Sequence, residues 1–323
     1  MRLRGFEFGR DYPAVIALWQ AAGPGIQWKF WPWPKSLGRE AGVVRSIFTR
    51  LLLAVCLASA AGTVAVSGVA QASALPDAAT VVDVPILMYH HIGNPIGHWS
   101  DYQFYVSLPA FDAQMAYLAD DGFTPVSLEQ VLAALQGYAP LPARPVAITF
   151  DDGNQDNFDL ALPVLEKYHL TATFLIVTGW VDHPGHLTWD EIATMQQAGM
   201  HFGAHTISHP YLPFLSESLA DTEISGSKAA LEAHLGRPVT VFAFPYGHAA
   251  PLTTRLVQAA GFGLALGTSP FHPDHTLAER FYLTRYGVYR WTSLGSFERH
   301  VPAPDLPVYS QAAPRAHWHP HDF

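Results

Sequence analysis

The chain has 323 residues with a formal net charge of −9, and 49% of its residues are apolar while 14% are charged. Such a composition can form a buried core and excludes a mainly disordered protein. The negative charge argues against a nucleic-acid-binding protein, which would present a basic face. The single cysteine, Cys56, lies in an apolar run near the N-terminus, so the rest of the chain offers no thiol for a disulfide or a metal.

The first recognisable element is a segment at 43–74 with the features of a secretory signal peptide. Arg45 and Arg50 precede an uncharged run rich in alanine, valine and leucine, which ends in small residues. A basic start, an apolar centre and small residues at the end are typical of such signals. We expect cleavage after Ala72 or Ala74 and a location that is secreted or in the cell envelope. The alternative is an uncleaved membrane anchor.

The signal-like segment divides the chain into further regions. Residues 1–42, rich in aromatic residues and proline, remain an unassigned segment. We interpret them as the result of a start codon placed too early, with translation beginning at Val43 or Val44. Residues 84–302 form the predicted folded domain, and the proline- and histidine-rich residues 303–323 form a predicted flexible tail.

Strand and helix patterns alternate through the folded domain. Strands are predicted over the apolar runs Val84–Tyr89, Val146–Phe150, Ala172–Val177, His201–His205, Val239–Phe244 and Phe262–Leu266. Helices are predicted over Pro109–Asp120, Leu128–Gln136, Phe158–Tyr168, the stretch from the Thr188 cap to Ala198, Glu217–Leu235 and Pro251–Ala260. Ser127 with Gln130 and Thr188 with Glu191 form capping boxes. This alternation predicts parallel strands with outer helices, in an open sheet or a barrel, with function at the C-terminal ends of the strands.

Two adjacent carboxylates follow the predicted strand that ends at Phe150. Asp151 and Asp152 precede Gly153, which allows the chain to turn sharply. Neighbouring side chains at a strand end point in different directions, so one carboxylate can face a metal ion while the other faces a water molecule. The alternative is an ordinary Asp-Gly turn whose carboxylates cap a helix.

Two histidines follow the predicted strand that ends at His205. His205 and His209 are four residues apart and can converge on one cation if the chain between them makes a helical turn. The chain contains 17 histidines, so the spacing could also arise by chance. Together with a carboxylate from a neighbouring strand end, the two histidines would match a catalytic zinc site with open positions. The same ligand set occurs in non-haem iron oxygenases.

A third motif, Phe244-Pro245-Tyr246-Gly247, ends the predicted strand at Phe244. A backbone N–H at Tyr246 could donate a hydrogen bond to an oxyanion that develops during a reaction. The alternative is a plain turn without a chemical role.

The three motifs, T-F-D-D-G at 149–153, H-T-x-x-H at 205–209 and F-P-Y-G at 244–247, together resemble those of the polysaccharide deacetylase family. This family is also called the NodB homology domain or carbohydrate esterase family 4. The sequence Leu87–Ile92 is similar to the branch that deacetylates poly-β-1,6-N-acetylglucosamine. The resemblance extends to about Val301, and it implies that 84–302 is a catalytic domain. The fold it implies is a deformed (β/α) barrel of fewer than eight parallel strands with outer helices.

The resemblance also implies residue roles and a reaction. Asp151 matches the catalytic base, Asp152, His205 and His209 match the ligands of one divalent metal ion, and Tyr246 matches the residue whose backbone N–H holds the oxyanion. Zinc is the expected metal, with cobalt, nickel and iron as alternatives. The implied reaction is metal-dependent hydrolysis of N-acetyl groups on an extracellular or cell-wall N-acetylglucosamine polymer, with release of acetate. The implied partner is this polysaccharide, with no nucleic acid, and with membrane contact only if the signal segment stays uncleaved.

The sequence departs from the family pattern at two positions. Ala243 stands where the family often has an arginine that steadies the base, and Arg285 stands where a late Leu-x-His motif often supplies a general acid. Arginine cannot donate a proton near neutral pH, but Arg285 could supply the missing positive charge beside Asp151. The general acid is unidentified, and the candidates are His90, His91, His272 and His275.

These departures leave a second class of function open, which is a catalytically impaired polysaccharide-binding module that retains the fold. An iron oxygenase is disfavoured by the strand–helix alternation and by the companion motifs.

Overall fold

The computed structural model describes residues 81–95 and 99–302. The predicted segments 1–42, 43–74 and 303–323 lie outside the described residues, so the predictions made for them stay predictions. Within the described ranges, no helix is both long enough and apolar enough to span a membrane.

Strands and helices alternate along the described chain. The strands are β1 (Val81–Asp83), β2 (Ile86–Tyr89), β3 (His91–Ile92), β4 (Tyr105–Val106), β5 (Thr124–Pro125), β6 (Pro145–Asp152), β7 (Thr173–Ile176), β8 (His201–Ala204), β9 (Val241–Ala243), β10 (Leu264–Leu266), β11 (Asp274–Thr276) and β12 (Tyr286–Gly287). The α-helices are α1 (Leu108–Asp120), α2 (Leu128–Leu135), α3 (Leu162–Lys167), α4 (Trp189–Gln197), α5 (Glu217–Leu235), α6 (Pro251–Ala259) and α7 (Leu294–His300).

The main sheet is parallel and curls into a barrel wall. Its strand order is β10-β9-β8-β7-β6-β2-β12, so β6 lies near the middle. A parallel bridge joins Leu266 of β10 to Leu283, just before β12, and so connects the two ends of the order. The structure therefore confirms a deformed barrel with parallel strands and helices. The expectation of fewer than eight strands is wrong for the described residues, because β5 also pairs with the start of β6 and gives the sheet eight strands.

The alternation of side chains along β6 decides which residues face the inside of the barrel. Phe150 pairs in register with Phe174 of β7, which pairs with Phe202 of β8. These buried rings pack in the larger core cluster with the helices. Because successive side chains of a strand point to opposite faces, Asp151 points the other way, in register with Leu175 of the inner cluster. The pleat therefore places Asp151 inside the barrel mouth.

Most predicted elements are present, with differences at their ends. Both predicted capping boxes, at Ser127 and Thr188, are formed. The single helix predicted over 158–168 is divided into a π-helical turn, Asn157–Ala161, and α3. The sequence analysis did not predict the antiparallel β1–β11 pair or α7, because runs of two or three residues show no hydrophobic period and α7 buries only Phe297.

Candidate metal centre and catalytic site

Four residues with left-handed backbone geometry cluster at the barrel mouth. Asp152, Thr206, His209 and Tyr246 have φ values of 77°, 70°, 57° and 60°. Such values are uncommon outside glycine, and strained backbone of this kind concentrates at functional sites. All four belong to the three motifs singled out in the sequence, which therefore meet at one place.

Asp152, His205 and His209 form a set of three ligand atoms that all lie within 4.8 Å of one another. Oδ1 of Asp152 is 3.6 Å from Nε2 of His205 and 3.6 Å from Nε2 of His209, which is too long for hydrogen bonds. This oxygen is buried, and no hydrogen-bond donor among the described residues reaches it. A buried acceptor without a donor, facing two imidazole nitrogens, fits a bound cation.

The imidazole of His205 is oriented for metal binding. Its Nδ1 lies 2.8 Å from the carbonyl oxygen of Ala243. Because a carbonyl can only accept, Nδ1 carries the proton and the Nε2 lone pair faces Asp152. Such a contact fixes the tautomer of many metal-binding histidines. The position where the sequence lacks the family arginine thus contributes a carbonyl to this site.

Electrostatics keep the two imidazoles neutral. Burial lowers the pKa of His205, and burial together with the neighbouring His205 lowers the pKa of His209 to about 3. Burial and the adjacent Asp151 carboxylate raise the pKa of Asp152 to about 7. A cation beside Asp152 would reverse that shift, because it favours the charged form of the carboxyl group.

Arg285 pairs with Asp151 through two parallel hydrogen bonds. Nη1 donates to Oδ1 at 2.7 Å and Nη2 donates to Oδ2 at 2.8 Å. Further bonds from the same guanidinium go to the hydroxyl of Thr149 at 3.1 Å and the carbonyl of Gly267 at 2.9 Å. Burial, the largest single effect, would raise the pKa of Asp151, but the charge and hydrogen bonds of Arg285, together with His205 and His90, outweigh it and hold that pKa well below its ordinary value. Arg285 therefore lies where the sequence analysis expected a positive charge.

The site opens into a cleft of about 1170 Å³, which both carboxylates and both metal-site histidines line. Tyr246 lies on its rim with a half-exposed side chain, and its ring centroid is 4.6 Å from that of His209. The geometry thus combines a metal set, a buried carboxylate and an open cleft large enough for a bulky substrate.

Residues 138–265, which include all three motifs, match the family model described as Polysaccharide deacetylase. The deacetylase PplD of Streptococcus pyogenes, solved in complex with acetate, superposes with a TM-score of 0.64 at 28% identity, covering 69% of this chain and 99% of PplD. These residues therefore form a polysaccharide deacetylase domain.

Curated relatives of the family match parts of the chain. YxkH of Bacillus subtilis strain 168 is 30% identical over 189 residues, which are 58% of this chain and 65% of YxkH. The poly-β-1,6-N-acetyl-D-glucosamine N-deacetylase of Escherichia coli K12 is 38% identical over 79 residues, 24% of this chain and 12% of that enzyme. The chain therefore spans less than two thirds of the length of either relative.

The structure separates the four histidines that the sequence left as general-acid candidates. His90 lines the cleft, and its Nε2 is 4.0 Å from Oδ2 of Asp151. His91 is held by Asp156, with Nδ1 and Oδ2 2.7 Å apart. His272 and His275 belong to the β11 region and do not line the cleft. Proximity to the paired carboxylate thus singles out His90.

Glu223 of α5 supports the loop that carries His209, a contact that the sequence analysis missed. Its carboxylate is buried and accepts the backbone N–H groups of Ile207 and Ser208, at 2.8 and 2.9 Å, and the Ser208 hydroxyl at 2.7 Å. The loop is also closed by the N–H of His209, which donates to the Thr206 hydroxyl at 2.9 Å. A glutamate within a regular helix gives no local sequence signal of such a role.

Proposed function

We propose that the protein is a secreted or cell-envelope enzyme that removes N-acetyl groups from an N-acetylglucosamine polymer by metal-dependent hydrolysis and releases acetate. The observation that carries the proposal is the buried Oδ1 of Asp152, which has no hydrogen-bond donor among the described residues and faces Nε2 of both His205 and His209. The Arg285–Asp151 pair beside it supplies an ionised carboxylate.

Asp152, His205 and His209 would hold one divalent ion. Two neutral imidazoles and one carboxylate are the ligands of many catalytic zinc sites and leave positions open for water and substrate. When bound, such a cation supplies Lewis acidity, which polarises a carbonyl oxygen and makes water more acidic. Zinc is the proposed metal, and cobalt, nickel and iron accept the same ligands.

Asp151 acts as the general base in this proposal. Its carboxylate removes a proton from the water that attacks the acetyl carbonyl. Arg285 keeps the carboxylate ionised and fixes its orientation through both guanidinium nitrogens, since a bidentate pair restrains geometry as well as charge. The backbone N–H of Tyr246 donates to the oxyanion of the tetrahedral intermediate.

His90 completes the proton transfer to the leaving nitrogen. Burial lowers the pKa of His90 to about 4, partly offset by Asp151, so its imidazole is neutral at the start of the reaction. Nε2 of His90 is 4.0 Å from Oδ2 of Asp151, so the proton that Asp151 takes from water passes to it through one bridging water, and from there to the amine as the C–N bond breaks. This route removes the need for the histidine that the late family motif usually supplies.

The test is acetate release from three polymers: poly-β-1,6-N-acetyl-D-glucosamine, chitin and peptidoglycan. Wild-type protein loaded with zinc should release acetate from at least one, and His205→Ala should lose both metal and activity. A variant that keeps stoichiometric metal would contradict the ligand assignment. Polymer binding and full metal content without acetate release would instead indicate a binding module.

Export forms part of the proposal. The segment 43–74 is expected to be cleaved, so that the mature protein begins near Ser73. N-terminal sequencing of protein recovered from the medium or the cell envelope tests this expectation. Met1 retained on the exported protein would contradict it.

A further inference from the structure

The hydroxyl group of Tyr282 contacts the turn that carries the proposed oxyanion donor. It donates a hydrogen bond to the carbonyl oxygen of Gly247 at 2.7 Å, from a position 35 residues away in the sequence. The Tyr282 side chain is half-buried and does not line the cleft. Any effect of Tyr282 on the reacting groups is therefore transmitted through the turn.

The turn itself, Pro245–Gly247, has strained backbone. Tyr246 has φ 60° and ψ 9°, and Gly247 has φ 67°. The N–H groups of Gly247 and His248 close the turn by donating to carbonyl oxygens three residues earlier, at 2.9 and 3.2 Å. Within the described part of the chain the N–H of Tyr246 has no such acceptor, so it is free to meet an oxyanion. Left-handed backbone outside glycine persists only where the surrounding structure holds it.

Two contacts with the neighbouring chain hold this turn. A Cβ atom added to Gly247 would lie 2.2 Å from Oγ1 of Thr268, so the turn lies directly against the segment that follows β10. The hydrogen bond from Tyr282 then fixes the carbonyl oxygen of Gly247. The bond from the Tyr246 hydroxyl to the carbonyl of His209 is weaker, because it is exposed and 3.4 Å long. The short bond from Tyr282 is thus the stronger side-chain restraint of the two.

The ring of Tyr282 also contacts the backbone that supports the general base. A Cβ atom added to Gly267 would lie 2.4 Å from this ring, so the ring packs directly on the Gly267 backbone. The Gly267 carbonyl accepts a hydrogen bond from Nε of Arg285 at 2.9 Å, and Arg285 holds both carboxylate oxygens of Asp151. One aromatic side chain therefore joins the turn with the oxyanion donor to the backbone that orients the base.

We propose that Tyr282 is a positioning residue that fixes the Tyr246 N–H relative to the Asp151 carboxylate. Stabilisation of an oxyanion depends on a donor that is already in place when the negative charge develops, and a displacement of about 1 Å can lower a rate by about 10²-fold. This inference rests on the proposed function and adds to it a residue that touches neither the substrate nor the metal ligands.

The experiment compares Tyr282→Phe with Tyr117→Phe as a matched control. The Tyr117 hydroxyl also donates to a backbone carbonyl, that of Val301, at 2.8 Å in a half-buried place. Tyr117 belongs to α1 and does not line the cleft. Each substitution removes one hydroxyl group and keeps the ring, so both proteins should fold and should lose similar amounts of stability in urea unfolding.

Tyr282→Phe should lower kcat for acetate release by about 10- to 100-fold, a fraction of the effect of removing an oxyanion donor outright. Its KM should stay within about 2-fold of the wild-type value, because the oxyanion forms only in the transition state. Zinc content should remain full. Tyr117→Phe should keep the wild-type kcat and KM, although it loses an equivalent hydrogen bond.

Amide hydrogen exchange, measured by NMR on the zinc-loaded proteins, examines the turn without turnover. The amides of Gly247 and His248, which close the turn, should exchange about 2- to 12-fold faster in Tyr282→Phe, the factor that corresponds to one net hydrogen bond. The same amides should exchange at the wild-type rate in Tyr117→Phe.

The inference is overturned if Tyr282→Phe lowers kcat no more than Tyr117→Phe does, or if KM rises while kcat is unchanged. Equal exchange of the two turn amides in both variants would also overturn it. A wild-type protein that releases no acetate would contradict the proposed function, and the exchange comparison would still decide whether Tyr282 holds the turn.

Discussion

Asp151 and Asp152 are neighbours in the chain, yet the structure predicts that removing their charges has opposite effects on stability. In Asp151→Asn, the buried Arg285 loses its charged partner. Breaking a buried ion pair in this way costs about 3–5 kcal/mol. The metal set is not altered, so Asp151→Asn should keep its metal while the rate of acetate release falls by about 10²–10⁴-fold, the usual contribution of a general base.

Asp152→Asn should instead stabilise the metal-free protein. Burial and Asp151 raise the pKa of Asp152 from 3.8 to about 7. As the pH rises, the Asp152 carboxyl group therefore loses its proton at a lower pH in the unfolded chain than in the folded protein. The stability of the folded state is therefore unaffected by this group below pH 3.8 and falls between pH 3.8 and 7. At about 1.4 kcal/mol for each pKa unit, the carboxylate opposes folding by up to roughly 4 kcal/mol above pH 7. Its removal should recover much of that stability and abolish metal binding.

The assay is urea unfolding of both variants at pH 8, with a chelator and with zinc, together with elemental analysis and acetate release. Zinc should stabilise the wild type and Asp151→Asn but not Asp152→Asn, since only a metal that binds the folded state raises its stability. Equal destabilisation of the metal-free protein by both substitutions would show that the two carboxylates are structural. Loss of metal from Asp151→Asn with retention in Asp152→Asn would reverse the assigned roles.

Three further predictions concern residues around the site and in the barrel. Glu223→Gln should weaken zinc binding by about 10–100-fold, as is typical for residues that support metal ligands. Asp221→Asn, on the exposed face of the same helix, should leave zinc affinity unchanged. Equal zinc affinities of the two variants, measured by competition with a chelating dye, would refute the supporting role of Glu223. Burial and His272 lower the pKa of His275 from 6.5 to about 4, so this histidine does not reduce the free energy of unfolding above pH 6.5 and reduces it increasingly as the pH drops toward 4. In urea unfolding, the free energy of unfolding should therefore fall less for His275→Leu than for the wild type between pH 7 and 5, by up to about 2 kcal/mol. Equal losses in the two proteins would contradict the burial argument. His90→Gln should lower kcat by about 10²–10⁴-fold with full metal content, and wild-type kcat in this variant would exclude His90 from the proton transfer.

The amino-acid sequence determined the alternation of strands and helices and the residues at the strand ends. Apolar runs next to Asp151, His205 and Tyr246 predicted that these residues follow strands, and the capping boxes at Ser127 and Thr188 formed as expected. These features depend on contacts within a few residues, so the local pattern is sufficient to predict them. Parallel strands then bring their C-terminal ends to one edge, which is why three short motifs could predict a single site.

The tertiary structure alone decided which distant groups complete the site. Arg285 reaches Asp151 across 134 residues of sequence, and the Ala243 carbonyl orients His205 across 38. Both contacts depend on the order of the strands and on the curvature that brings β10 close to the segment before β12. The sequence raised Arg285 only as a substitute for a missing charge, and it could not choose among four histidines for the acid. Such choices depend on distances of a few ångströms between separate strands, which no local pattern of residues encodes.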